Sequence, residues 1–292
     1  MARKPQNGDQ AQKQSQFIAV VKRVIRRPTA AVGGAIFILI VLTAIFGDYL
    51  APYNYNQLHM SEKFMTPNAK YLMGTDKMGR DLLSRILVGG KYTLLIAFAS
   101  AAIAVVFGTI IGSIAGFFGQ RVDNIVMRIL DVIQSVPGMI LNIVLAAALG
   151  LGILPCIVAI GIGGIAGSAR MARANILQIR KNEYIDAATS INCSTPRIIL
   201  RHVLPNIISP IIINVTQSLA MGIMGASSLS FIGLGVQPPT PEWGAMLSAG
   251  KDVLQMYPHV TLMPGLVISI TILSLNLLGD GLRDALDPKL KH

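Results

Sequence analysis

Charge is scarce in this sequence: only 13% of its 292 residues are Asp, Glu, Lys or Arg, about half the share of an ordinary soluble domain. Acids are scarcer than bases, 14 against 25, which leaves a formal net charge of +11. That excess suits either nucleic acid or a membrane, and the positions of the bases decide between them. Lys and Arg crowd the ends of apolar runs, a mark of membrane topology rather than of a groove that tracks phosphates. Only two cysteines occur, Cys156 and Cys193. They fall on opposite sides of the membrane in the topology below, which excludes a disulfide, and neither has metal-ligand company. The four histidines are isolated from one another, so His59 and His259 make a poor nickel site. No Ser/His/Asp arrangement, no Cys-x-x-Cys and no Gly-Lys-Ser/Thr phosphate loop is present. No small-residue cleavage pattern follows the first apolar run, so no cleaved signal peptide is expected. Internal repeats and coiled-coil heptads are also missing, and the only biased tract, Gln-rich residues 10–16, reads as disordered.

What the sequence does have is apolar length. Hydrophobic residues make up 52% of it and the mean hydropathy is +0.58, which marks an all-α integral membrane protein. Charge-free runs place spans at Pro28 to Gly47, Tyr92 to Gln120, and Val132 to Ala169, the last broken at Gly150 to Pro155 and read as two. A fifth lies within Val203 to Pro241, ending near Gly233 to Gly235, and a sixth within Val253 to Gly279. Six helices put both termini on one side. With the termini inside, the inner segments hold 18 Lys and Arg and the outer segments 7, so both termini are cytoplasmic. Residues 16–27 alternate Phe17, Ile18, Val20, Val21, Val24 and Ile25 with Lys22, Arg23, Arg26 and Arg27. They read equally as a basic amphipathic helix on the inner leaflet and as an extension of the first span.

One polar island interrupts the apolar runs, RKNEYIDAATSINCSTPRIILRHVLP from Arg180 to Pro205. Its chemistry is that of two short helices and a tight turn. Asn182 suits the first cap, with Glu183 and Asp186 near the positive end of the helix dipole. Asn192 stands where a left-handed residue is wanted, and Asn tolerates that conformation best after Gly. Thr195 suits the second cap, with Pro196 at the first helical position. Pro205 marks the return to the membrane.

These residues carry a resemblance. Asp186-Ala187-Ala188, three residues, Asn192, nine residues, then His202-x-Leu204-Pro205 resembles the EAA loop of ABC importer permeases, Glu-Ala-Ala, x3, Gly, x9, Ile-x-Leu-Pro. It departs at Asp186, Asn192 and His202; the first two keep the charge and the turn, and the third is similar to the peptide-permease variant. A second motif is the outer-loop sequence Gly74-Thr75-Asp76-Lys77-Met78-Gly79-Arg80-Asp81, continuing to Ser84-Arg85. It resembles the GTDxxGRDxxSR signature of the C-type subunit of dipeptide, oligopeptide and nickel permeases. Further matches are Gly116-Phe-Phe-Gly119, Leu229-Ser-Phe-Ile-Gly-Leu-Gly235, Pro239-x-Pro-x-Trp243-Gly244 and Leu278-Gly-Asp-Gly-Leu-Arg-Asp284, so the likeness runs from about residue 27 to 288.

The resemblance implies a type I ABC importer permease in a bacterial or archaeal cytoplasmic membrane. It further implies pairing with a B-type permease, two ATPase subunits that bind ATP and Mg, and an external solute-binding protein. This chain itself would bind no cofactor, no metal and no nucleic acid, and would not be an enzyme. Its organisation would be a cytoplasmic tail (1–27), a first transmembrane helix (28–50), an outer loop (51–91), a permease core (92–282) with coupling helices at about 182–203, and a C-terminal tail (283–292). Glu183, Asp186, Ala187, Ala188, Asn192, His202, Leu204 and Pro205 would couple to an ATPase. The outer loop would serve a gate, a binding-protein contact or a structural cap. Cargo stays open among dipeptide, oligopeptide, nickel, a metallophore and a glycan. A secondary transporter would need a midplane ion site, and no acid lies mid-span; a scaffold protein would use the same hairpin without transport. Gly108, Gly112 and Gly116, and Gly163 with Gly167, suggest close helix packing. Pro137 and Pro155 mark kinks or ends, and Asp131 is expected to pair with Arg128.

Overall fold

The computed structural model describes residues 22–286. The polar tail to residue 21, with most of the amphipathic segment, and residues 287–292 lie outside the described residues; 22–26 are helical. Among the described residues there is no strand, only an isolated bridge between Thr75 and Asp81.

Helix α1, Pro28–Ile45, starts with Pro in its first turn, where a missing N–H costs nothing. A short turn, α2 (Gly47–Leu50), leads to the outer loop. Helix α3, Leu82–Phe118, is 37 residues long, or about 55 Å at 1.5 Å per residue. A hydrocarbon core is only about 30 Å thick, so α3 starts well before Tyr92 and its first turns stand in the outer cap. Asp81 caps it by accepting from the Ser84 N–H at 2.8 Å.

The run after α3 divides differently from expectation. Helix α4, Gln120–Ser135, and helix α5, Gly138–Leu149, meet at a bend of 84°. Pro137 lies at the bend and cannot donate the N–H that a continuous helix would need. Helix α5, at 12 residues, is about 18 Å long and cannot cross alone. Five helices are long and apolar enough to span, or six if the bent pair forms one span. The expected break at Gly150 to Pro155 is present: α6 begins at Ile153 and runs to Ile179. Helix α9, Ile208–Phe231, and helix α11, His259–Leu286, complete the spans. Between α6 and α9 lie α7 (Glu183–Ser190) and α8 (Thr195–Ile198), and between α9 and α11 lies α10 (Trp243–Gly250).

Glycines let α3 lie directly on α6. A Cβ on Gly108 would fall 2.4 Å from Ser168 Cβ, and one on Gly112 would fall 2.3 Å from the Ala169 carbonyl oxygen. The second glycine pair does not make such a row: Gly163 faces the Asn142 side chain and Gly167 faces open space. On the other flank, α1 packs on α11 with Gly281 against Ala30, and Arg27 pairs with Asp284 at their common end.

The residue that locks α10 in place was not singled out in the sequence. Glu242 is fully buried and caps α10, accepting from Gly244 N at 2.9 Å and Ala245 N at 2.8 Å. Thr93 on α3 donates to the same carboxylate at 3.0 Å, and the Trp243 indole donates to the Ile86 carbonyl at 2.9 Å. Burial pushes the Glu242 carboxyl pKa up, opposed by these backbone and hydroxyl donors. Packing makes one clear prediction. Gly112→Ala should destabilise the protein by about 1–3 kcal/mol through overpacking, while Gly167→Ala, which adds a methyl in open space, should cause no loss of stability. Thermal melts of the two variants in one detergent check this; equal melting temperatures would remove the α3–α6 contact as a constraint.

Candidate functional site

The hairpin between α6 and α9 is built by local chemistry. Asn182 occupies the N-cap position of α7 in an extended conformation, but its side chain makes no capping bond; it donates instead to the Tyr184 hydroxyl at 3.5 Å. Glu183 and Asp186 lie in the first turn as expected. Asn192 has φ 58°, one of two non-glycine residues with positive φ among the described residues. Around it the Asn192 N–H reaches the Thr189 carbonyl at 2.9 Å and the Cys193 N–H reaches Ala188 at 3.1 Å. This pair of bonds is a Schellman closure, which satisfies carbonyls that the helix end leaves orphaned. The second helix corrects expectation by one residue: Ser194, not Thr195, holds the cap position, Pro196 is second, and no side chain caps it.

Beyond α8 the backbone widens into a π turn at Ile199–Val203 and tightens to a 3-10 turn at Leu204–Asn206. Pro205 explains the irregularity, since it lacks an N–H and its ring crowds the preceding turn. His202 and Leu204 are half-buried and Pro205 is exposed.

The hairpin has two faces. Ile185, Ala188, Ile198, Val203 and Ile207 are buried together with Ile176 near the end of α6, and Phe117 of α3 packs on them. Glu183, Asp186, Ala187 and Asn192 face outward. Ala187 and Ala188 therefore do different work: only Ala187 is on the outer face, and Ala188 anchors the hairpin to the bundle. Beside Ala187 the outer face carries Tyr184 and, at the end of the same helix, Ile191 at 76% exposure; further along the chain Leu200 is 66% exposed. The sequence alone assigns these three apolar residues no role.

Ion pairs brace the helix that leads into the hairpin. Arg173 of α6 holds Asp123 of α4 with both Nε and an NH2 group, and Arg170 pairs with Asp131. The expected Arg128–Asp131 pair does not form, because α4 brings Asp131 to α6 instead. Arg180 lies over the Phe117 ring at 5.8 Å.

At the other end of α3, the outer signature is a closed knot. Gly74, Thr75, Asp76, Gly79, Arg80 and Asp81 are all buried. Asp76 Oδ1 accepts from Met78 N at 2.8 Å and Arg80 N at 3.0 Å, while Oδ2 pairs with the Arg80 guanidinium at 2.7 Å. Gly74 and Gly79 have φ 81° and 72°, and a Cβ on Gly74 would meet His259 of α11 at 2.7 Å. Phe64 stacks on Tyr257 at 4.4 Å. The geometry is that of a cap holding the outer ends of α3 and α11 together. Nearby, the Lys70 ammonium and the Tyr71 hydroxyl hold the Glu62 carboxyl pKa below its usual range. The two sets of site residues thus sit at opposite ends of α3. Among the described residues no group of three or more potential metal ligands forms. Cys156 and Cys193 are both free.

Residues 108–292 match the family described as binding-protein-dependent transport system inner membrane component, and residues 15–69 match the N-terminal TM domain of oligopeptide transport permease C. The glutathione transport system permease protein GsiD of Pectobacterium atrosepticum is 39% identical over 271 residues, 92% of this chain and 90% of that one. The di/tripeptide transport system permease protein DppC of Pseudomonas aeruginosa is 39% identical over 270 residues, 90% of this chain and 89% of the other. Among solved structures, the MetNI methionine ABC transporter in an inward-facing conformation aligns with a TM-score of 0.58 at 19% identity, covering 70% of this chain and 97% of that one. That last likeness speaks for the fold alone. With a family match over most of its length and relatives aligned along nine-tenths of it, the chain belongs to the binding-protein-dependent transport system inner membrane components, as a multi-pass permease subunit.

Proposed function

We propose that the chain is the C-type permease subunit of an ATP-driven importer of peptides, paired with a B-type permease. An external binding protein delivers the cargo, and two ATPase subunits, which bind ATP and Mg, supply the energy. The observation that carries this reading is the hairpin: a Schellman-closed turn at Asn192 that presents Glu183, Asp186, Ala187 and Ile191 outward while Ala188 fixes it to the bundle. A face that sets exposed apolar side chains beside acids suits the groove of a cytoplasmic partner. Closure of the ATPases on ATP would then move α6 and α9, between which the hairpin lies, as rigid elements tied to a two-state partner.

The cargoes named for the similar relatives are glutathione and di/tripeptides, which favours peptide over nickel, metallophore or glycan. Topology follows the basic bias of 18 inner against 7 outer residues, with the hairpin in the cytoplasm of a bacterial cell. The burial of Asp76 and Arg80 supports a structural cap over a direct binding-protein contact at those two residues.

Two measurements test the reading. Asn192→Gly should keep ATPase association and ATP-dependent peptide uptake, because Gly meets the left-handed requirement freely. Asn192→Val, strained there by about 1–3 kcal/mol, and Ala187→Glu, which loads the outer face with bulk and charge, should each cut uptake tenfold or more. Full uptake and association in both would remove the hairpin as the coupling element. For topology, Lys70→Cys and Gln255→Cys should react with an impermeant reagent in intact cells and Lys181→Cys should not. The reverse pattern would invert the orientation.

A further inference from the structure

A cavity of 640 Å³ opens between α3, the end of α4, α5, α6 and α9, and nothing in the hairpin or the outer cap uses it. Ser100 lies midway along α3, Gly163 to Ser168 midway along α6, and Asn214 and Gln217 in the first half of α9, so the cavity is at membrane depth. None of its lining residues carries a charge. Four carboxamides converge on it, from Gln134, Asn142, Asn214 and Gln217. Polar side chains at this depth are costly unless they are partnered or serve a pathway. Asn214 is partnered, donating to Ser168 Oγ at 3.0 Å. Asn142 is not: its Oδ1 is buried with no hydrogen-bond partner, facing Gly163. Beside it, Gly167 has open space where a side chain would stand, which widens the wall.

We infer that this wall holds cargo through hydrogen bonds to peptide-backbone amides and does not discriminate cargo by side-chain charge; the inference rests on the peptide-import reading. A carboxamide carries N–H donors and a carbonyl acceptor, and each peptide unit of the cargo carries one N–H and one carbonyl, so it can pair with a backbone in either direction. A charged wall would bind opposite charges roughly twice as strongly through charge-assisted bonds and repel like ones. Passage requires binding weak enough to release, and neutral amides meet that need for acidic, neutral and basic peptides alike. Selection by charge is thereby left to the binding protein.

The test uses the full complex in proteoliposomes with three tripeptides that differ only in a central Asp, Ala or Lys. Binding-protein loading is measured separately for each. Uptake per loaded binding protein should agree within about threefold for the unsubstituted complex. Gln217→Glu should depress the Asp peptide relative to the Lys peptide by about tenfold, the scale of one unit charge at close range. Gln217→Lys should shift the ratio the opposite way. A folding defect would instead lower all three peptides in parallel. Discrimination above tenfold in the unsubstituted complex, or a ratio unmoved by either substitution, would overturn the charge-blind wall while leaving peptide import standing. A binding protein that holds none of the three, or loaded complexes that import none, would overturn the peptide reading itself.

Discussion

The close approach of α3 and α6 is the constraint on which the rest depends. Gly108, Gly112 and Gly116 remove the side chains that would otherwise keep the two backbones apart. In lipid the hydrophobic effect gives little reason for one apolar helix to prefer another over acyl chains, so packing of this kind has to supply the association. From that pair the remaining parts take their positions. The outer end of α3 carries the Asp76–Arg80 knot, its inner end carries Phe117 against the hairpin, and its middle forms one side of the amide-lined cavity.

Mechanical continuity follows from the same arrangement. Ile176, near the end of α6, is fully buried inside the hairpin core with Ala188, Ile198 and Val203. A push on the outer face of α7 therefore meets packed side chains rather than a loose loop. Arg173 and Arg170 extend the unit to α4, whose bend at Pro137 leads to α5 and so to Asn142 in the cavity wall. Hairpin, brace and wall are thus linked by contiguous contacts. At the opposite end, Glu242 and Trp243 fix α10 to α3, so the outer cap moves with the same helix.

Much of this is legible in the sequence, and the parts that are not share a cause. Asn192 can be read because few residues accept a left-handed backbone, and a tight turn between two short helices demands one. Apolar runs show the spans, since membrane thickness sets their length. Asp131 is paired with the wrong partner when only near neighbours are considered; its true partner, Arg170, comes from another helix. The knob-like exposure of Ile191 is invisible to periodicity, because nothing local says which side of a two-faced hairpin the bundle will cover. Glu242 looks like a loop acid until Thr93 is brought to it from α3. Pro137 announces a break without its angle. Gln134, Asn142, Asn214 and Gln217 are scattered over three helices, and only tertiary packing gathers them.

In the proposed function, the outward face of the hairpin is the surface through which an ATPase subunit drives this chain. Site-specific photo-crosslinking from position 191 in the assembled complex tests it most directly. A crosslink is expected from Ile191 to an ATPase subunit, and none to that subunit from a probe at Lys77 in the outer cap. A probe at 191 that labels only lipid, or an ATPase crosslink that arises from 77 instead, would contradict it.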